Sequence, residues 1–219
     1  MTRIRYTEEL ERLNRGMTAM GALCEEIISE AGRAVIEGEK GALDRVKPQA
    51  AEIDRKEREI EDLCLRLLLE QQPVAGDLRR VSSALKMITD MERIGDQAAD
   101  IAEITEYLQN STLQDAGLRI GSTHIREMAR ATVNMVNGSI DAYVKQDTKI
   151  AHAVIESDDV VDGLFREVRQ GLIQLIVSHP EFGEYALDLL MIAKYFERIG
   201  DHAVNIAGWV LFSVTGIHA

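Results

Sequence analysis

The sequence contains few of the residues that interrupt helices or cross-link a chain. It has 3 prolines and 2 cysteines in 219 residues, and aromatic residues make up 5% of it. The two cysteines, Cys24 and Cys64, have no metal-type spacing, and two thiols are too few for a disulfide scaffold. Each is predicted to be a buried free thiol, as is typical of a reducing compartment.

Long apolar runs are absent as well. The N-terminal stretch MTRIRYTEELERL lacks the apolar region of a signal peptide. The longest mostly apolar run, 206–217, is shorter than the roughly 20 residues that span a bilayer. We therefore expect a cytoplasmic protein that does not insert into the membrane.

Positive charge is scarce. The formal net charge is −12 and the pI is near 4.9, which argues against a nucleic-acid partner because phosphate backbones are bound by basic surfaces. An acidic surface is compatible with cations or with basic patches on other proteins. No Gly-x-Ser-x-Gly, Walker loop or dinucleotide fingerprint is present, so nothing in the sequence indicates an enzyme.

What remains is helix-forming sequence, rich in Ala, Leu, Ile, Glu and Arg. Apolar residues recur at three- and four-residue spacing, and no convincing alternation predicts a strand. The spacing predicts an all-α protein with an up-and-down arrangement of six long helices, at about 7–38, 39–72, 77–109, 118–145, 148–177 and 185–214. Thr7 is the expected N-cap of the first helix, and Pro48 should kink the second helix or mark its start.

The chain contains an internal repeat. MERIGDQAADIA at 91–102 returns 105 positions later as FERIGDHAVNIA at 196–207, with eight of twelve residues identical. A repeat of this length indicates two copies of one unit. We predict two tandem, pseudo-symmetric three-helix bundles, 1–111 and 112–219, with the polar stretch 110–117 as connector.

Each copy places acids along one helix face. Glu92, Asp96 and Asp100 follow one another at four-residue spacing, and the second copy has Glu197, Asp201 and Asn205. Like charges at this spacing cost a helix about 0.2–0.5 kcal/mol per pair, and a glycine such as the one in each motif costs about 1 kcal/mol. Two accounts fit: either the acids bind a cation, with glycine allowing a close approach, or they face solvent or a basic partner.

A complete cation site needs acids from a second helix, because one Glu-x-x-x-Asp supplies two ligands at most. Asp158 and Asp162 form such a pair in the fifth helix. In the second helix Asp54 is followed four residues later by Arg58, although Glu57 and Glu61 are nearby. A four-carboxylate site is therefore easier to assemble in the second half. No histidine follows a Glu by three, so the Glu-x-x-His pair of di-iron bundles is missing.

With these motifs the chain resembles the PhoU family over essentially its whole length. The most specific segments are DMERIGDQAADIA at 90–102 and YFERIGDHAVNIAGWV at 195–210, with support from EIDRKE at 52–57, DLRRVSSALK at 77–86 and DDVVD at 158–162. The resemblance implies two pseudo-symmetric three-helix bundles and no enzymatic activity. It also implies a role in repressing the phosphate regulon and phosphate uptake when phosphate is plentiful.

The resemblance further implies partners and a cofactor. The expected partners are the ATPase of a phosphate ABC transporter and a membrane sensor histidine kinase. Some family members hold multinuclear iron or zinc clusters on paired acidic motifs, which implies metal ligands here at Asp54, Glu92, Asp96, Asp100, Asp158, Asp162, Glu197 and Asp201. Arg58 stands where the family pattern is expected to have an acid, which puts the first-half ligand set in question.

Other interpretations remain open from the residues alone. A carboxylate-lined bundle is also compatible with a metalloenzyme that uses iron or zinc, or with a structural dimerisation module. The only tryptophan, Trp209, lies in an apolar stretch of the last helix and makes a homodimer plausible.

Overall fold

The computed structural model describes residues 3–71, 75–109 and 122–217, and within these ranges the chain is almost entirely helical. Its described helices are α1 (Arg3–Glu37), α2 (Ala42–Gln71), α3 (Ala75–Gln109), α4 (Ser122–Lys145), α5 (Thr148–Ser178) and α6 (Gly183–Thr215), with a 3₁₀ turn at Pro180–Phe182. No strand occurs in these ranges. The predicted all-α class and six long helices are confirmed, while the predicted connector 110–117 lies outside the described residues.

The predicted N-cap of the first helix is wrong, and of the two roles predicted for Pro48 one is excluded. Helix α1 begins at Arg3, so Thr7 lies within it and is not its N-cap. Helix α2 begins at Ala42, after Gly38 and Gly41 have turned the chain with φ values of 68° and 73°, a region that glycine enters at little cost. Pro48 lies inside α2 and does not mark its start.

The second half has well-defined helix ends. The Asp147 carboxylate caps α5 by accepting hydrogen bonds from the backbone N–H groups of Lys149 and Ile150. Helix α6 ends at Gly216, which adopts the left-handed conformation with φ 77°. Helices α5 and α6 carry the second-half acids.

The buried residues repeat between the two halves with two different offsets. Residues of α3 and α6 match at 105 positions, as Met91 with Phe196 and Ile94 with Ile199. Residues of α1 and α2 match those of α4 and α5 at 108 positions: Met17 with Ile125, Met20 with Met128, Ile28 with Val136, Val46 with Val154, Ile53 with Val161, Ile60 with Val168 and Leu67 with Leu175. The chain is therefore three residues shorter between a position in α5 and one in α6 than between the equivalent positions of α2 and α3.

The two three-helix units pack through equivalent helices. Helix α3 makes its most extensive contact with α6, and α1 lies against α4. A Cβ on Gly21 would lie 2.9 Å from Ile140 Cγ1, and one on Gly32 would lie 3.1 Å from Ala129 Cβ. Shifting Gly21 and Gly32 by 108 gives Ala129 and Ile140, so the same contact is made twice, which requires a pseudo-twofold relation between antiparallel helices.

The three- and four-residue apolar spacing predicts that Leu78 of α3 faces the core, but its side chain is 45% exposed. Both cysteines are buried free thiols, as predicted, and burial raises the pKa of each thiol to about 12. Among the helices at 3–71, 75–109 and 122–217, none is long and apolar enough to cross a membrane.

Candidate metal-binding clusters

The first-half acids converge where α2 packs on α3. Asp54 from α2 and Glu92 and Asp96 from α3 each offer one carboxylate oxygen, and these three oxygens lie within 4.8 Å of one another. In the described part of the chain this is the only set of three acid, histidine or cysteine ligands that meets so closely. The sequence predicts that a four-carboxylate site assembles more readily in the second half, and that stays a prediction, because the set that converges here has three acids. We call Asp54, Glu92 and Asp96 the first cluster.

Arginines border the first cluster. Arg93 Nη1 lies 3.0 Å from Asp96 Oδ2, and Arg93 Nε lies 3.3 Å from Glu92 Oε2. Arg58 Nη2 lies 4.0 Å from Asp54 Oδ2. Both side chains are more than half exposed, so their ion pairs contribute little to stability. An arginine in the repeated motif can reach a carboxylate on a facing helix or a phosphate group, and the sequence favours a structural ion pair. The carboxylates that Arg93 contacts are on its own helix.

Burial and mutual repulsion raise the pKa of Glu92, with Asp96 as its strongest acidic neighbour. Glu57 has a raised pKa for the same reasons, since it is partly buried and close to Glu61 and Asp54. Glu57 therefore extends the acidic surface of the first cluster along α2. A site that disfavours its own negative charge is one in which a bound cation would be stabilised.

The second-half acids lie where α5 packs on α6. Burial and the charges of Asp162, Asp201 and Glu197 raise the pKa of Asp158 to about 6. Asp158 Oδ1 is shielded from solvent and accepts no hydrogen bond from any residue that the structure describes. An unpaired buried carboxylate oxygen is costly unless something binds it. We call Asp158, Asp162, Glu197 and Asp201 the second cluster.

The carboxylate oxygens of the second cluster are farther apart than those of the first. Burial and the nearby Glu197 raise the pKa of Asp201, so the four acids interact electrostatically. Glu197, however, accepts a hydrogen bond from Lys194 of its own helix, and no three ligand atoms of this cluster lie within 4.8 Å among the described residues. Four carboxylates are present here, but their oxygens converge less than the three of the first cluster.

The 108-residue offset of α2 and α5 corrects the predicted alignment of the two clusters. It pairs Asp54 with Asp162 and places Ala50 opposite Asp158, whereas Arg58 corresponds to Arg166. Sequence reasoning aligned Asp54 with Asp158 and therefore took Arg58 to occupy the position of the missing acid. That alignment is wrong. The acid missing from the first half is one turn before Asp54, at Ala50.

The repeated glycine allows each pair of helices to approach closely at its cluster. A Cβ on Gly95 would lie 3.1 Å from Ile53 Cδ1, and one on Gly200 would lie 3.4 Å from Asp158 Oδ1 and 3.6 Å from Val161 Cγ1. Ile53 and Val161 are equivalent under the 108-residue offset, so both glycines meet the same position of the neighbouring helix. The close approach that the sequence suggested for these glycines is therefore present.

Asp100 is not one of the three converging ligands of its half, although the charge of Asp96 acts on it. Burial raises the pKa of Asp100, and a hydrogen bond donated by Tyr195 of α6 offsets part of that rise. The repeat makes a corresponding contact with the helices exchanged. There Asp90 Oδ1 of α3 accepts a hydrogen bond from Asn205 Nδ2 of α6 at 3.1 Å and lies 2.9 Å from His202 Nδ1. Sequence reasoning did not find this contact between the repeats, although the 105-residue offset relates Asp90 to Tyr195 and Asp100 to Asn205.

The donor atoms of both clusters are carboxylate oxygens. Such ligands suit hard or borderline cations, including iron and manganese. Structural zinc sites are usually built from Cys and His, and neither cluster contains these residues. The converging oxygens of the first cluster and the unpaired Asp158 Oδ1 of the second fit a bound cation, and iron fits this donor set better than zinc.

Known proteins share this architecture. The sequence profile of the PhoU domain matches residues 17–105 and 125–210. The chain is 31% identical to the phosphate-specific transport system accessory protein PhoU homolog of Pseudomonas putida, over 96% of this chain and 81% of that relative. It is 33% identical to the homolog of the same name from Zymomonas mobilis, over 96% of this chain and 87% of that one.

Solved structures agree with the sequence comparison. The crystal structure of PhoU from Pseudomonas aeruginosa superposes with a TM-score of 0.90 at 31% identity, covering 97% of this chain and 100% of that one. The phosphate transport system regulatory protein PhoU from Streptococcus pneumoniae shares the fold, with a TM-score of 0.86 at 24% identity, covering 98% and 99% of the two chains. Because the PhoU profile matches most of the chain and relatives at least 30% identical align over nearly its full length, the chain belongs to the PhoU family.

Proposed function

We propose that this chain is a regulatory accessory protein of phosphate transport that lowers phosphate uptake and phosphate-regulon signalling when phosphate is plentiful. The observation that carries this proposal is the near full-length similarity to relatives named as accessory proteins of phosphate-specific transport systems. No nucleophile or cofactor motif in the sequence favours catalysis, so we propose that the protein is not an enzyme.

The proposed partners are the ATPase of a phosphate ABC transporter and a membrane sensor histidine kinase. A net charge of −12 favours docking on basic surfaces of these proteins through electrostatic steering. The acids along α3 and α6 are the candidate contact residues, because each of these helices carries acids that no described cation neutralises within 4.0 Å, such as Asp100 and Asp201.

We also propose that the two clusters hold cations. Asp54, Glu92 and Asp96 would ligate one site, and Asp158 with its three acidic neighbours the other. In each case ligands from two helices would be held together, which stabilises the packing of α2 on α3 and of α5 on α6. Iron is the metal we expect, because the family resemblance implies iron or zinc and neither cluster has the Cys or His ligands of structural zinc sites; a carboxylate donor set also suits Mg²⁺, Ca²⁺ and Mn²⁺.

The partner proposal is tested by co-purification. The full chain should be retained on immobilised transporter ATPase and on the cytoplasmic part of the kinase, with retention that differs between phosphate-replete and phosphate-free buffer. In cells, deleting the gene should raise uptake of labelled phosphate and phosphate-regulon expression, and re-expression should restore both. Failure to bind either partner at any phosphate level would overturn the proposal.

The metal proposal needs tag-free protein purified without chelator. Elemental analysis should find iron, with its content reduced separately by Asp54→Asn with Asp96→Asn and by Asp158→Asn with Asp162→Asn. Glu25→Gln with Glu26→Gln removes the same charge from exposed positions of α1 and should leave the metal content unchanged. Equal losses in all three variants would show that the acids act only through total charge.

The same preparation separates the alternative functions. Metal combined with turnover of peroxide or a phosphate ester would identify a carboxylate-bundle metalloenzyme and contradict the regulatory proposal. Absence of metal together with absence of a phosphate phenotype would identify a structural dimerisation module. The homodimer expected from the sequence stays a prediction, and sedimentation of the purified chain tests it.

A further inference from the structure

A basic groove lies at one end of the contact between α1 and α4. It has a volume of about 410 Å³ and is lined on the α1 side by Ser29 and Arg33 and on the α4 side by Arg126, Arg130 and Asn134. Gly32 and Ala129 pack at its floor, where the two helices approach closely. Three guanidinium groups thus line one concavity of a chain whose net charge is −12.

The charges of these arginines are only partly neutralised. Arg33 donates a hydrogen bond to Glu30, a buried acid that also accepts one from Arg45. Glu37 is the one acid that lines the groove. Arg126 and Arg130 have no ion pair within 4.0 Å among the residues that the structure describes. Helix α4 therefore presents two guanidinium groups whose donors are free for a ligand, beside an Arg33 held in place by Glu30.

Helix packing alone does not require this charge. The pseudo-twofold relation makes the opposite end of the α1–α4 contact structurally equivalent, with an offset of 108 residues. There the equivalents of Arg33, Arg126 and Arg130 are Asp141, Thr18 and Ala22, and those of Val133 and Asn134 are Glu25 and Glu26. The same helix contact is thus basic at one end and acidic at the other. The arginines occur only at this groove, and the equivalent end of the contact packs without them.

We propose that this groove binds a phosphate-bearing ligand. Guanidinium groups bind phosphate oxygens with paired, charge-assisted hydrogen bonds, a geometry that lysine does not offer. The Ser29 hydroxyl and the Asn134 amide supply further hydrogen-bond donors on opposite walls. Ile36 and Val133 add apolar surface, which suits a phosphate attached to an organic group better than a bare anion.

The size of the groove limits the ligand. A volume of about 410 Å³ is within the usual range of about 300–1,000 Å³ for small-molecule sites. Two or three guanidinium groups match a ligand with several phosphate charges. The ligand chemistry is that of an organic polyphosphate or of an anionic lipid headgroup. This inference is independent of the proposed function, because the groove shares no residue with either cluster.

The test measures binding to the full chain by titration calorimetry at constant salt. The probes are a nucleoside triphosphate, pyrophosphate and inorganic phosphate. Arg126→Ala with Arg130→Ala should weaken binding by about 100-fold, or about tenfold for each lost charged hydrogen-bonding group. The matched control is Arg66→Ala with Arg169→Ala, which removes the same charge from exposed positions outside the groove. It should change the affinity by less than about threefold.

A second arm distinguishes the two sources of the phosphate group. Vesicles containing phosphatidic acid are compared with neutral vesicles, using the same two variants and the unmodified chain. Groove-dependent binding to acidic vesicles alone identifies a lipid headgroup, whereas groove-dependent binding of the soluble probes identifies a free metabolite. Circular dichroism of both variants confirms that helicity is retained.

Several results would overturn the inference. Absence of binding to every soluble probe and to acidic vesicles removes it. An equal loss of affinity in the control variant shows that only total charge matters. Binding of a poly-glutamate peptide as tight as that of the triphosphate shows that the groove recognises acidic chains in general. Loss of self-association in the groove variant, with no phosphate binding, assigns the groove to a contact between copies of the chain.

Discussion

The two acidic clusters share a helix-packing framework but differ in charge. In both, a Glu-x-x-x-Asp on one helix faces the neighbouring helix beside a glycine, and buried Ile53 and Val161 occupy equivalent places. The first cluster has three converging carboxylates, with Ala50 at the fourth position. The second has Asp158 at that position, with a buried oxygen that lacks a partner. The apolar contacts and three of the four carboxylate positions are thus preserved, and the halves differ at the fourth position, Ala50 against Asp158.

The groove between α1 and α4 shows the same separation of packing from charge. Its floor of Gly32 and Ala129 recurs at the other end of the contact as Ile140 and Gly21, while its arginines do not recur. Buried positions in a bundle are constrained by the volume they must fill, whereas exposed positions are free to diverge. An exposed group of like charges in one half that the other half lacks, such as these arginines, is therefore not explained by helix packing.

The largest expected effects are in the core, at a pair of positions that the two halves share. Met91 and Phe196 are equivalent and fully buried, and Phe196 also lies near Gly32, across the contact with α1. Phe196→Ala should lower the free energy of unfolding by about 3–5 kcal/mol and Met91→Ala by about 2–5 kcal/mol, through lost burial and a residual cavity. Urea denaturation followed by circular dichroism measures both.

The comparison of the cores has a built-in control. Exposed Leu69→Ala in α2 should change the free energy of unfolding by less than about 0.5 kcal/mol, because its side chain is 81% exposed. A Phe196→Ala variant as stable as this control would show that the second-half core is not packed as described.

The next effect concerns the acid that only the second half has. The pKa of Asp158 is raised to about 6 from the ordinary value near 3.9. Below about pH 4 both folded and unfolded forms are protonated, and above about pH 6 the folded state contains an unfavourable charge. This group therefore lowers stability progressively as the pH rises from about 4 to 6.

Asp158→Asn removes that titration. In chelator-treated protein it should raise the free energy of unfolding at pH 7 by about 1–2 kcal/mol, after allowance for partial exposure, and should have no effect below pH 4. The converse change in the first half, Ala50→Asp, should be destabilising at pH 7 in the absence of metal. Urea denaturation from pH 3.5 to 7.5 measures both, and a pH-independent effect of Asp158→Asn would contradict the assignment.

A smaller effect separates the two glycines. Alanine in place of glycine within a helix is favourable by about 1 kcal/mol. At Gly200 the nearest atoms to a new Cβ are at ordinary contact distances of 3.4–3.7 Å, whereas at Gly95 Ile53 Cδ1 would lie at 3.1 Å and would have to move. Gly200→Ala should stabilise the protein by about 0.5–1 kcal/mol, and Gly95→Ala should be nearly neutral.

Thermal unfolding of the two glycine variants measures this difference, with Gly163→Ala as a reference because, beyond the adjoining backbone of its own helix, no atom lies within 4 Å of the Cβ added there. A strong destabilisation by Gly200→Ala would mean that α5 and α6 pack more closely than the structure shows.

The fold was predictable from sequence because helix type and number depend on local apolar periodicity. The three-residue difference between the two offsets was not, since it arises between a position in α5 and one in α6 and appears only when buried positions are compared. That difference explains why Arg58, and not Ala50, was taken as the substituted position. Convergence of Asp54 with Glu92 and Asp96 was also hidden, because side-chain orientation across a helix pair depends on packing.

The smallest expected effect tests whether the Arg93 guanidinium competes with a bound cation for the carboxylates of the first cluster. Arg93 contacts Glu92 and Asp96, whereas its equivalent Arg198 interacts with Asp100. Neither Arg93→Ala nor Arg198→Ala should change the free energy of unfolding by more than about 0.5 kcal/mol, because exposed ion pairs contribute little.

The two arginines should differ in their effect on metal affinity. With the second cluster disabled by Asp158→Asn and Asp162→Asn, Arg93→Ala should tighten Fe²⁺ binding at the first cluster by up to about fivefold, and Arg198→Ala should leave it unchanged. Weaker binding after Arg93→Ala would instead show that Arg93 orients the two carboxylates for the cation.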